Sequence, residues 1–203
     1  MWTRSLGILM ISVIFCLIYS EIGASELLEL NHGSSKNIKP VNRSGDSFLK
    51  GTEELHAYAS AIAGDSGKGE MPALHVGYGY FLQDRLSVNI DILGAYIRSG
   101  IDDNGAAIGL DVLLREHFYN SNDGIWSIYF DAGSGFQQQS TNFSGRRHFN
   151  FRLFGGFGGT MKVFNNMRMM GGVRYLHISD AGIKGGGGGY DGFMFYYGAG
   201  FPF

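Results

Sequence analysis

The segment Val173-Arg174-Tyr175-Leu176-His177-Ile178-Ser179-Asp180 holds a histidine and a serine two residues apart, and Asp191 follows twelve residues after the serine. Side chains alternate between faces along an extended strand, so His177 and Ser179 share one face, about 6.6 Å apart along the backbone. A serine hydroxyl becomes a nucleophile when a base takes its proton, and an acid that orients the base completes the device. His177 is the candidate base, Ser179 the candidate nucleophile and Asp191 the candidate acid. Val173 and Tyr175 share their parity, whereas Arg174 has the opposite one. Asp180 is the competing acid, but its even number turns it to the other face if the strand continues. A His and a Ser at a strand end also serve as plain interfacial polarity, and that alternative stays open at this point.

The elements that must carry these residues have a period of two. Alternating runs are expected as strands near 54–63, 73–82, 86–98, 106–119, 126–138, 149–163, 168–179 and 190–203. Most have ten or more residues, whereas globular strands average about 5–6 and a bilayer-crossing strand needs about 9–11. In the last run Phe193, Phe195, Tyr197, Ala199, Phe201 and Phe203 fall on one face. In the third, Leu86, Val88, Ile90, Ile92 and Tyr96 oppose Ser87, Asn89 and Asp91. The polar faces are rich in glycine and poor in Lys and Glu, which does not suit a solvated exterior. The inverse arrangement fits: apolar side to lipid, polar and small side inward. The fold class expected is therefore all-β, an eight-stranded antiparallel transmembrane barrel.

Composition agrees. Glycine accounts for 33 of 203 residues, more than twice the usual share of about 7%. Aromatic residues make up 14% and charged residues only 17%, and the formal net charge of −2 argues against a nucleic-acid partner. An eight-stranded barrel has room inside only for side chains. Asp91, Asp111 and Asp131 face Arg115, Arg152 and Arg174 there, so a paired polar network is expected to plug it, which argues against an open pore. Eight strands return both ends to one side, the periplasm. The short connections 83–85 and 164–167 fall on that side, with 119–125 a longer exception. Those at 64–72, 99–105, 139–148 and 180–189 fall outside. Asp191 has the outward parity of Phe193 to Phe203. At about 3.3 Å per residue and about 40° of tilt it stands roughly 30 Å above Phe203, at the outer rim of an apolar band about 25 Å tall. His177 and Ser179 top the neighbouring strand, so all three converge on the lipid-facing outer edge.

Residues 1–24 read as a secretory signal peptide, with Arg4 before an apolar stretch and small residues near Ala24. Cys16, the only cysteine, would leave with it. Residues 25–52 read as a flexible lead-in and 53–203 as the barrel. Gly64-Asp65-Ser66-Gly67 mimics a protease nucleophile stretch, but reads as a loop. Gly185 to Gly189 lacks the following Lys-Ser/Thr of a phosphate loop. Asp102-Asp103-Asn104-Gly105 lacks the spacing of a calcium loop, and the histidines have no metal-ligand spacing.

Arg174-Tyr175-Leu176-His177-Ile178-Ser179 followed by Ala181-Gly182-Ile183 resembles the signature of the lipid A 3-O-deacylases of the PagL type, also called acyloxyacyl hydrolases. Gly145-Arg146-Arg147-His148-Phe149-Asn150-Phe151 and the cluster Gly155 to Gly159 resemble that family too. The likeness is specific over 126–203 and looser over the rest of the barrel. It implies an eight-stranded barrel in the bacterial outer membrane that hydrolyses an ester-linked acyl chain of lipid A in lipopolysaccharide, without a metal or other cofactor. It implies Ser179 as nucleophile, His177 as base and Asp191 where the family commonly has Glu. It also implies an oxyanion role around Asp180, Ala181 and Gly182. Two departures stand out. Asp180 occupies the place of the family's Asn, where a carboxylate would repel developing negative charge, and Gly185 to Gly189 replaces a more ordered segment. The implied partners are the lipid A substrate, outer-membrane lipids and the outer-membrane assembly machinery, with a second copy of the chain as a further candidate. A non-catalytic small barrel serving adhesion or envelope integrity is the competing reading.

Overall fold

Each alternating run folds as one strand, and the eight strands close on themselves in chain order. The computed structural model describes residues 48–64, 69–99, 103–141, 148–180 and 189–203. Residues 1–47, expected from the sequence to hold a signal peptide and most of a lead-in, the Asp65-Ser66-Gly67 stretch, Asp102, Arg146, Arg147, Ala181, Gly182 and residues 185–188 lie outside the described residues. The strands are β1 Glu53–Gly64, β2 Gly69–Gln83, β3 Leu86–Ser99, β4 Gly105–Asn120, β5 Trp126–Gln139, β6 Phe149–Phe164, β7 Met167–Ser179 and β8 Tyr190–Pro202. Every neighbour is antiparallel, and β8 pairs with β1 to leave no free edge. Most bounds lie within a residue of those read from alternation. β2 begins earlier, at Gly69, because its pairing with β1 continues through Ala61↔Pro72. Pro72 has no N–H to donate, and the β2–β3 ladder skips it and Met71.

Both chain ends of the barrel meet at one rim, where Glu53 and Phe203 exchange backbone hydrogen bonds. This is called the terminal end below, and the opposite rim the loop end. Register shifts occur between Phe81/Gln83, Glu116/Tyr119 and Lys162/Phe164, all three at the terminal end. Bulges are common at barrel rims, where they strengthen twist locally. Parity is consequently uninterrupted from there to the loop end.

The outward face carries Leu74, Val76, Ile90, Ile92, Ile108, Phe157, Phe193, Phe195 and Tyr197, all exposed. The inward face carries the charges. Asp111 accepts from Arg152 Nε at 2.9 Å. Asp131 accepts from Arg115 Nη2 at 3.0 Å and from Arg174 Nη2 at 2.6 Å. Asp91 accepts from His56 and Tyr58, and Arg174 Nη1 donates to the same Tyr58 hydroxyl. The guanidinium of Arg115 lies over Tyr129 at 4.2 Å and that of Arg174 over Tyr196 at 4.4 Å. The polar plug read from parity is therefore present, with each of the six charges Asp91, Asp111, Asp131, Arg115, Arg152 and Arg174 hydrogen-bonded and both Arg115 and Arg174 packed on aromatic faces. Gly77 is required where the network crosses β2, because a Cβ there would collide with Asp91 Oδ1 and His56 Nε2. Toward the loop end the interior changes character. Ile62, Met71, Ile97, Leu176, Ile178 and Tyr190 form a fully buried apolar layer, since a closed barrel of this width packs like a protein core.

The last part of the lead-in is ordered. Phe48 is buried at the terminal end, stacked on His117 with ring centroids 3.9 Å apart and covered by Arg168 at 4.6 Å. Arg85 N–H donates to Phe48 O, Lys50 N–H to Asp84 and Gly51 N–H to Phe81 O. Phe48 finds a berth against the His117 and Phe81 rings in the barrel mouth, which pins the chain before β1.

Asp131 carries two arginines, so its loss has a calculable cost. Asp131→Ala leaves two buried guanidinium groups without their carboxylate, and removing one partner of a buried pair costs about 3–5 kcal/mol. Urea unfolding of the barrel in lipid vesicles is expected to show a lower midpoint with an unchanged slope. A midpoint equal to wild type would contradict the role given to Asp131.

Candidate active site

β7 and β8 bring the three candidate residues together. Their register runs without a shift from Arg168↔Gly200 to Ile178↔Tyr190, so His177 sits directly opposite Asp191 and Tyr175 opposite Phe193. On the other edge β6 sets Leu153 against His177 and Phe151 against Ser179. The inward side of β7 is occupied by Arg174, Leu176 and Ile178, each fully buried. That parity leaves His177 and Ser179 on the outward face, two residues apart, at the last turn of the pleat before the loop end.

His177 Nδ1 and Asp191 Oδ1 are 2.7 Å apart. A carboxylate accepts only, so Nδ1 carries the proton, and in the neutral imidazole Nε2 keeps its lone pair. The side chains are 26% and 45% exposed respectively, so a ligand in the outward environment can reach both. Tyr175 donates its hydroxyl to the same Asp191 oxygen at 2.7 Å. Its ring meets Phe193 edge-on, with centroids 5.8 Å apart. No hydrogen bond joins His177 to Ser179 among the described residues. They share a face two residues apart, and such contacts commonly tighten only when substrate binds.

The end of the glycine run has a definite role. A Cβ on Gly189 would lie 2.8 Å from His177 Cε1, so only glycine lets the chain pass this close to the imidazole. Asp180 is 6% exposed and turned to the buried side, away from the outward face that holds Ser179 and His177. It is Asp191, not Asp180, that meets the imidazole. Ala181 and Gly182 lie outside the described residues. Next to Ser179, an aromatic patch faces outward: Phe149 packs edge-on against Phe151 at 5.4 Å and near Phe136 at 5.9 Å.

Parity alone placed Tyr175 on the right face, but nothing in its spacing showed the bond to Asp191. Gly189 was hidden among four other glycines. Phe48 stood in a stretch whose composition suggested no structure.

The fold, with its outward apolar band and paired polar interior, is that of an eight-stranded outer-membrane β-barrel protein. No family model and no curated protein matches the chain. Among solved structures it is similar to the outer membrane enzyme PagL, at 19% identity and TM-score 0.59, covering 71% of this chain and 97% of that one. It is also similar to Neisserial surface protein A, at 14% identity and TM-score 0.58, covering 75% and 96%. A third is the outer membrane protein OprG from Pseudomonas aeruginosa, at 12% identity and TM-score 0.52, covering 79% and 98%.

Proposed function

We propose that this protein is an outer-membrane serine esterase that hydrolyses an ester-linked acyl chain of lipid A. The observation that carries the reading is the 2.7 Å bond from His177 Nδ1 to Asp191 on the lipid-facing side of the loop-end rim, one pleat from Ser179. A polar His–Asp pair on a lipid-facing surface is costly unless it lies at the interface and has work there. The resemblance of the β7 motif to the lipid A 3-O-deacylases supplies the substrate class. The presence of an outer-membrane enzyme among the similar folds agrees with catalysis on such a scaffold.

In this reading Ser179 attacks the ester carbonyl while His177 Nε2 takes its proton. Asp191 holds the imidazole and stabilises its charged form. The alcohol of the sugar leaves with the proton that His177 returns, and the acyl group stays on Ser179 until water, deprotonated by the same base, releases the fatty acid. Side-chain stabilisation of the oxyanion by residue 180 is not part of this scheme, because Asp180 is acidic and turned inward. Backbone N–H donors are the alternative source.

Mass spectrometry of lipid A from cells with and without the protein tests the proposal. Expression is expected to convert the parent lipid A into a species lighter by one acyl chain. An unchanged acyl pattern, with the barrel folded in the membrane, overturns the esterase reading in favour of a non-catalytic barrel.

A further inference from the structure

We infer that Tyr175 is a positioning residue of the Ser179–His177–Asp191 site, acting by locking the Asp191 carboxylate in the orientation that holds His177. The inference rests on the esterase reading above and assigns a fourth member to its machinery. Tyr175 and His177 stand two residues apart on β7, with Asp191 directly opposite His177. Tyr175 is therefore the diagonal neighbour of Asp191, at the distance across which an aromatic side chain can reach. It does so: its hydroxyl and His177 Nδ1 both lie 2.7 Å from the same oxygen, Asp191 Oδ1. Phe193, next but one after Asp191 on β8, packs edge-on against the Tyr175 ring and fixes its direction.

The geometry answers a problem set by the location. Asp191 is the second residue of β8, beside the connection from β7, and its side chain is 45% exposed. A short carboxylate there can rotate away from the imidazole toward the aqueous headgroup layer. A second donor fixed by the sheet removes that freedom, and a hydrogen bond to a charged acceptor is about twice as strong as one between neutral groups. An aromatic residue that merely anchored the barrel at the interface would direct its hydroxyl to water, as girdle tyrosines do. Tyr175 directs it to the acid of the site. It touches neither the ester nor Ser179 in this role, so its effect passes through Asp191.

Tyr175→Phe removes only the hydroxyl. On lipid A in detergent micelles the variant is expected to lose about tenfold in kcat with KM within about twofold of wild type, the size expected for one charge-assisted hydrogen bond. The second readout is the rate at which a fluorophosphonate labels Ser179, measured for wild type, Tyr175→Phe, Asp191→Ala and the double variant. Tyr175→Phe is expected to slow labelling in the wild-type background and to add less than about twofold to Asp191→Ala, because coupled residues are not additive. Heat-modifiable migration on gels confirms that each variant is a folded barrel. Full kcat in Tyr175→Phe overturns the inference, as does a defect confined to KM or one equally large without Asp191. A wild-type barrel whose Ser179 is labelled but which leaves lipid A intact overturns the substrate reading instead, and the labelling rates still decide the role of Tyr175.

Discussion

Ser179→Ala is expected to abolish lipid A deacylation, by roughly 10³-fold or more, while leaving a folded barrel. The serine oxygen is the atom that would form the acyl-enzyme, and removing the nucleophile of a serine triad costs about as much as removing the whole triad. The fold should not notice. Ser179 is the last residue of β7, it faces outward, and no hydrogen bond to His177 depends on it. Mass spectrometry of lipid A, together with heat-modifiable migration of the variant, separates loss of chemistry from loss of structure. A variant that still deacylates at the wild-type rate would place the nucleophile elsewhere.

Asp191→Asn is the second large effect. An amide can present its NH₂ group to His177 Nδ1, which favours the tautomer with the proton on Nε2, where it cannot accept from Ser179. Loss of an orienting acid in other triads lowers kcat by about 10⁴-fold, and a fall of about 10²-fold to 10⁴-fold is expected here. Asp191→Glu should retain most activity, because it keeps the carboxylate acceptor at a position whose side chain is 45% exposed. Initial rates of fatty-acid release give both answers. Asp180→Asn is the control, expected to change little because Asp180 is turned away from the imidazole.

Much of the fold was legible in the sequence because each strand has one face in lipid and one in a narrow interior. Phe193 to Phe203 and Ser87 to Asp91 differ so sharply across a period of two that both the strand and its direction follow. The pairing of Asp111 and Asp131 with arginines followed from the same parity, since like-facing charges in a closed space must meet. Parity could not supply contacts set by side-chain reach. Tyr175 crosses to Asp191 on a diagonal, and two aromatic residues of equal parity would read alike whether or not one made that bond. The apolar layer of Ile62, Met71 and Ile97 was equally hidden. Parity reads inward residues as polar or small, whereas a narrow closed interior accepts apolar side chains just as readily. The order at Phe48 depends on His117 and Arg168, which are distant in sequence and meet it only once the barrel has closed.

The filled interior also has a consequence for the esterase reading, in where the reactants would come from. Between the Phe48 berth at one rim and the apolar layer at the other, the interior is filled by buried charged, aromatic and apolar side chains. Ser179 faces outward, away from that interior. For the proposed reaction, the acyl chain would approach sideways by diffusion within the leaflet, and the water that releases it would come down from the sugar layer. In the esterase reading the protein would work as a catalyst in two dimensions. Its turnover should follow the mole fraction of substrate in the membrane surface, falling when inert lipid or detergent dilutes that surface even if the bulk concentration of substrate is held constant.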